Sequence, residues 1–269
     1  MNRLEKKLKK LKATGRKALI SYITAGYPNI GSTKKIVSCL ESSGTDIIEL
    51  GLPFSDPIAD GPVIQHSSHK ALERGMTPQI ILQIISRIRK TSQIPLIIMT
   101  YLNPVYRYGV ERFFADASKA GLDGMIIPDI TPEEGRVIIN LSKKYNISVI
   151  FLITPTTVKS RQGFILEKSR GFVYVVSITG VTGPRKEFHP SIIQFLKEIR
   201  RKTKKPLMLG FGISHPQQLK KVKNLVDGVI IGSAIVKITG KPTQSAINEA
   251  LKRFLKPFRA ELDRRTNGN

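Results

Sequence analysis

The sequence predicts an α/β chain folded as one (β/α)8 barrel, a TIM barrel with an extra N-terminal helix. Three observations lead there. Short apolar runs rich in β-branched residues recur eight times, most of them followed by a stretch of helical period. Most of those runs are apolar throughout, as strands of a parallel sheet covered on both faces are. The length of 269 residues is ordinary for one such barrel. An open doubly wound sheet would normally carry a GxGxxG turn after its first strand, and Thr24-Ala25-Gly26-Tyr27-Pro28 is not one. The barrel domain is expected to span 1–269, with a basic helix over about 1–14 and a basic helix and tail over about 244–269.

In chain order, the strands are expected at 18–24, 46–50, 95–100, 124–127, 148–153, 173–177, 206–210 and 228–231. Helices are expected at 32–43, 78–91, 110–120, 132–145, 159–169, 190–203 and 216–224. Thr131-Pro132-Glu133-Glu134 reads as a helix start: a capping hydroxyl, proline at the first position and acids in the first turn. Thr77-Pro78 and His215-Pro216 offer the same proline entry.

Composition excludes several classes. Hydrophobic residues at 41% and charged residues at 24% exclude wholesale disorder. A single cysteine, Cys39, excludes a disulfide framework and a cysteine-rich metal site, and four histidines without an HxxxH pair argue against a histidine-built one. No metal is expected. No apolar run approaches the ~18 residues of a membrane span, and residues 1–17 lack the apolar core of a secretion signal. The expectation is a cytoplasmic (or organelle-stromal) globular protein with no membrane partner.

The charge is unusual. Forty-four Lys and Arg against 20 Asp and Glu give +24. Residues 1–17, 197–205 and 251–269 supply +16 of it. The sequence reads these segments as separate solvated faces, with a polyanion site or a basic partner-binding arm as the other readings. No nucleic-acid partner is expected, because the aromatic residues at the strand ends do not interleave with the basic runs.

In a barrel of this kind chemistry sits on the loops that follow the strands. Glu49 closes the second strand among Ile47, Ile48 and Leu50, and alternation turns it to the same side as Ile47, into the barrel mouth. An acid in an apolar strand is paired, raised in pKa or functional. Asp56 and Asp60 follow in a proline-rich loop, where each could equally cap a turn. Gly232-Ser233-Ala234, after the eighth strand, suits a phosphate cradle completed by Gly212 and Gly183 on neighbouring loops. Ser177 to Pro184 is a mobile lid or an ordinary loop. Tyr22, Tyr101, Tyr174 and Phe211 fall near strand ends, where they could contact a flat apolar ligand or fill the core.

The run Glu49-Leu50-Gly51-Leu52-Pro53-Phe54-Ser55-Asp56-Pro57-Ile58-Ala59-Asp60-Gly61-Pro62 resembles the signature of the tryptophan synthase alpha chain family. Supporting matches are Tyr22-Ile23-Thr24-Ala25-Gly26-Tyr27-Pro28, Tyr101-Leu102-Asn103-Pro104, Ile127-Pro128-Asp129, Thr154-Pro155-Thr156-Thr157, Thr179-Gly180-Val181-Thr182-Gly183 and Gly210-Phe211-Gly212-Ile213-Ser214, together covering roughly residues 18–240. The basic termini are not part of that pattern. The resemblance implies retro-aldol cleavage of indole-3-glycerol phosphate to indole and glyceraldehyde 3-phosphate. It implies Glu49 as the acid/base and Asp60 as acceptor of the indole N–H. Thr182 would reach toward Asp60, Tyr174 would stand beside the catalytic carboxyl, and Tyr22, Tyr101 and Phe211 would contact the substrate. Gly183, Gly212, Gly232 and Ser233 would bind phosphate. It further implies no cofactor on this chain, and a beta chain partner, carrying pyridoxal phosphate, in an α2β2 tetramer.

Overall fold

The computed structural model describes residues 1–177 and 188–264. The chain begins with helix α1 (Arg3–Ala13), strand β1 (Ala18–Thr24), α2 (Ser32–Ser42) and β2 (Ile47–Gly51). Two helices, α3 (Pro62–Glu73) and α4 (Pro78–Arg89), lead to β3 (Leu96–Met99), and two more, α5 (Leu102–Tyr108) and α6 (Val110–Ala120), lead to β4 (Gly124–Ile126). Then come α7 (Arg136–Lys144), β5 (Ser148–Ile150), β6 (Leu152–Ile153), α8 (Lys159–Lys168) and β7 (Val173–Val176). After α9 (Pro190–Lys202) and β8 (Leu207–Gly210), a 3-10 turn (Pro216–Lys221) precedes β9 (Gly228–Ile231), α10 (Ser233–Thr239) and α11 (Gln244–Asp263).

All strand pairings are parallel, in the order β5-β4-β3-β2-β1-β9-β8-β7-β6. The two edges of this sheet, β5 and β6, are one stretch of chain, the single strand expected at 148–153 interrupted at Phe151. The sheet therefore closes on itself, stitched by Arg170 N–H to the Val149 carbonyl (2.8 Å) and Tyr174 N–H to the Phe151 carbonyl (3.2 Å). The ladders are unequal. β1 and β2 pair through five residues, whereas β6–β7 and β8–β9 pair through two each.

Alternate residues of each strand face outward to the helices or inward to the barrel axis, giving two apolar clusters. The inner one contains Ile20, Ile47, Ile97, Ile126, Ile150 and Met208, and α1 closes its lower end with Leu4, Leu8 and Leu11. That is why a helix so rich in lysine starts the chain: its three leucines, spaced by helical period, are buried while most of its lysines face water. A capping box of Asn2 and Glu5 starts it, and the Asn2 side-chain amide also donates to the Asp123 carbonyl at 2.7 Å.

Aspartates stand just before β2, β4 and β9. Asp46 accepts the Leu19 N–H (3.0 Å) and an Arg259 N–H (2.8 Å). Asp123 accepts the Leu96 N–H (3.0 Å) and an Arg89 N–H (2.6 Å). Asp227 accepts the Leu207 N–H (2.8 Å) and bonds Arg200. Each carboxylate thus ties the start of its strand to the neighbouring strand and to an arginine.

Several expectations need correction. Residues 62–73 form helix α3, for which the sequence assigns no element, and residues 102–108 form helix α5 where a loop is expected after the third strand. Helix α7 begins at Arg136 instead of Pro132. The side chains of Thr131 and Glu134 do bond reciprocally, as in a helix start, but Glu133 is drawn outward into a forked pair with Arg161 at 2.9 Å, and the residues form turns. Residues 216–221 are 3-10, where the Gln218 side-chain Oε1 accepts the N–H groups of Ser214 and His215 and tightens the turn. No helix among the described residues is long and apolar enough to cross a membrane.

Candidate active site

At the carboxyl ends of the strands, Glu49 is the anomaly. It is 0% exposed, pairs in register with Tyr22 of β1 and Ile97 of β3, and neither of its carboxylate oxygens has a hydrogen-bond partner. Loss of water, and secondarily the charge of Asp60, pushes its pKa from 4.5 up to about 8. A buried polar group without partners is costly in any fold, so its presence here needs a reason other than packing.

Asp60 lies at the end of the loop after β2, half-buried. Burial lifts its pKa from 3.8 to about 6, against the opposing pull of a hydrogen bond from the Tyr101 hydroxyl. That hydroxyl also accepts the Ala59 N–H at 2.9 Å, and the Phe54 ring leans on the Tyr101 ring with centroids 5.4 Å apart. On the other side the Gln65 side-chain amide donates to the Asp60 carbonyl at 2.8 Å. The loop is therefore held from α3 and from the end of β3 at once.

Two tyrosines border Glu49 inside the barrel. Tyr22 and Tyr174 are both buried, and burial drives both phenols well above their ordinary pKa, with the acidic pair adding to the effect. Each is seated over a glycine. A Cβ at Gly51 would collide with the Tyr22 hydroxyl, and one at Gly210 would stand 2.5 Å from the Tyr174 ring. These two glycines, Phe54, Gln65 and the helical placement of α3 were not singled out from sequence. Gly51, two residues after Glu49, carried the only available signal.

Opposite the acids, Phe211 and Gly212 both have positive φ (68° and 74°), an arrangement uncommon for a phenylalanine. Phe211 meets Tyr174 edge-on, and the Ser177 hydroxyl donates to the Gly210 carbonyl at 2.8 Å. The Gln218 side-chain amide fixes the Gly212 carbonyl at 3.0 Å. Gly232 precedes α10, so the first amides of that helix, beginning at Ser233, are donors a helix leaves without internal acceptors. Thr182 and Gly183, expected on the lid, lie outside the described residues. No group of three or more His, Cys, Asp or Glu side chains is placed to hold a metal ion among the described residues.

A family profile described as tryptophan synthase alpha chain matches residues 8–264. The chain belongs to that family. It is 45% identical over 263 residues to the tryptophan synthase alpha chain of Thermoanaerobacter sp. (strain X514), covering 97% of this chain and 100% of the relative. Identity to the alpha chain of Geobacter sulfurreducens is 42%, over 97% and 99% of the two chains. Among solved structures, tryptophan synthase subunit alpha from Legionella pneumophila str. Paris superposes with a TM-score of 0.88 at 35% identity, covering 98% of this chain and 99% of that one. A tryptophan synthase chain from M. tuberculosis, in an aminoacrylate-bound form, gives 0.86 at 30% identity, over 97% and 100%. As a tryptophan synthase alpha chain, the protein is a carbon–carbon lyase built on a TIM barrel.

Proposed function

We propose that Glu49 and Asp60 together carry the alpha reaction of tryptophan synthase, in which this chain cleaves indole-3-glycerol phosphate to indole and glyceraldehyde 3-phosphate. The supporting observation is Glu49: a carboxyl inside the barrel with both oxygens unpartnered. The bond between indole C3 and the glycerol chain breaks only if C3 gains a proton and the chain hydroxyl loses one. A carboxyl with pKa about 8 is mostly protonated at neutral pH and can donate to C3; the carboxylate left behind can take the hydroxyl proton. Asp60, with pKa about 6, is mostly ionised at the same pH and can accept the indole N–H, stabilising positive charge on the ring. Environments that separate two carboxyl pKa values in this way separate an acid from an electrostatic stabiliser.

Tyr22, Tyr101, Tyr174 and Phe211 form the walls for the indole ring in this reading. Gly212, Gly232 and Ser233, with Gly183, hold the phosphate, and Thr182 meets Asp60 when substrate is bound. The scheme uses no metal or organic cofactor on this chain. Pyridoxal phosphate belongs to the beta chain, which receives the indole for L-tryptophan synthesis. The proposed assembly is α2β2, in the cytoplasm.

The contact surface for the beta chain is the mouth rim. Ile58 (84% exposed), Tyr106 (72%), Val137 and Val158 are large apolar side chains open to solvent, and all follow the carboxyl ends of strands. Titrating beta chain into a fixed amount of this protein while following indole release tests both parts. The expected result is a weak basal lyase strongly activated by the partner, with Pro57→Glu or Asn103→Glu reducing activation more than basal rate. A flat titration would remove the partner surface; absence of basal and activated cleavage alike would remove the reaction.

A further inference from the structure

The basic charge does not spread evenly over the folded molecule. Because the strands are parallel and the helices between them return antiparallel, those helix C-termini gather on the face where strands begin, opposite the mouth. Helices α4, α7, α8 and α9 all end in lysine or arginine there. Described residues of the three segments that hold most of the net charge also meet on that face. Two adjoining cavities, of about 110 and 310 Å³, flank the loop from α1 to β1. Lys12, Arg16 and Lys17 come from the first segment, Lys204 from the second and Arg264 from the third, with Lys223 between them. Asp227 pairs with Arg200, Asp263 with Arg16 and Arg259, and Glu261 with Lys223 and Arg264, which leaves Lys12, Lys17 and Lys204 as the lining cations outside an ion pair among the described residues. Lys17 is half-buried, its ammonium donates to the Val226 carbonyl at 2.7 Å, and burial lowers its pKa.

We propose that this pole is a binding surface for the phosphodiester backbone of duplex nucleic acid, read without regard to base sequence. The surface is concave, cationic and built from three distant parts of the chain. Its cavity linings contain no aromatic ring on which unpaired bases would stack. The cavity linings present no large exposed apolar side chain of the kind that anchors a protein in a lipid surface; Met1 is the one such side chain at this end among the described residues, and Ile58, Tyr106, Val137 and Val158 ring the mouth instead. What remains is the chemistry of phosphate neutralisation and counterion release. The surface lies opposite the mouth, so occupancy there leaves the active site and the rim accessible.

The test is fluorescence anisotropy of a labelled random-sequence DNA duplex titrated with the full chain over a series of salt concentrations. The expected dissociation constant is on the order of 10⁻⁶–10⁻⁴ M near physiological salt, weakening linearly in a log–log plot by ~0.9 per phosphate contacted. Lys12→Glu with Lys204→Glu should weaken binding at least tenfold and flatten the salt slope, with indole release unchanged. The matched control is Lys34→Glu with Lys35→Glu, the same change of charge in the first turn of α2 at the mouth end. Equal losses from both pairs would show a general effect of net charge and overturn the surface. So would preferential binding of a single-stranded oligonucleotide, preferential binding of phosphatidylserine-containing vesicles, or a duplex titration that does not respond to salt.

Discussion

The two ends of the barrel treat their carboxylates in opposite ways. At the lower end Asp46, Asp123 and Asp227 each accept a backbone N–H from a neighbouring strand and at least one arginine, Asp123 taking both Arg89 and Arg3. At the mouth Glu49 accepts nothing, and Asp60 shares one tyrosine hydroxyl. A partnered carboxylate fixes strand register. An unpartnered one holds its proton until a ligand gives it something to do with it. The same functional group is structural or chemical according to whether its charge is answered within the fold.

The largest effect expected from this contrast is at Glu49. Glu49→Gln keeps the shape and removes proton transfer, so indole release should fall by at least ~10²–10⁴-fold, and further if the group serves both steps. Retention of a tenth of the rate would take Glu49 out of the mechanism. At the other end, Asp123→Ala should leave Arg89 buried without its counter-charge and cost roughly 3–5 kcal/mol in urea unfolding. The kcat/KM of the protein that remains folded should stay close to wild type. A loss of activity as large as that at Glu49 would erase the distinction between the two ends.

Asp60→Asn should be milder than Glu49→Gln, on the order of 10²-fold in indole release, because the amide oxygen still accepts the N–H but carries no charge. Damage equal to or greater than that at Glu49 would reverse the two roles. The same pair sets the pH profile. Activity should rise through about pH 6 as Asp60 ionises and fall through about pH 8 as Glu49 loses the proton it donates.

Stability follows with a definite sign. The folded pKa of Glu49 lies above its ordinary 4.5, so the folded state holds a proton that the unfolded chain has released. The residue therefore lowers stability progressively between about pH 4.5 and 8. Glu49→Gln should be no more stable than wild type near pH 4 and more stable by on the order of 4 kcal/mol at pH 8, read as a growing difference in Tm. The smallest effect is steric. Gly210→Ala pushes a methyl group into Tyr174 and should cost about 1–2 kcal/mol of stability while raising KM.

Much of this was legible in the chain. Strand positions emerge within about a residue from apolar runs, because the alternation of barrel interior and helix layer buries both faces. Glu49 was visible as the acid in such a run. Its lack of any partner was not, since a pairing lysine or arginine could have come from anywhere in a chain with 44 of them. Helix α3 was hidden by the proline-rich loop before it, whose Pro62 is a helix start as much as a turn. The turns at 131–135 show the reverse. A good start signal was overruled by Arg161, 28 residues away from Glu133. The convergence of three basic segments is likewise tertiary: each looks solvated until the barrel brings them together.

The unequal ladders have a dynamic consequence. Strands β7 and β8 pair with each other through four residues but join the rest of the barrel through two on either side. Backbone amides on those two short seams should exchange with deuterium earlier than those between β1 and β2, and β7 and β8 should open as one cooperative unit. That unit carries Tyr174 and Gly210. Its breathing would widen the indole side of the mouth while Glu49, held in the five-residue ladder, keeps its position.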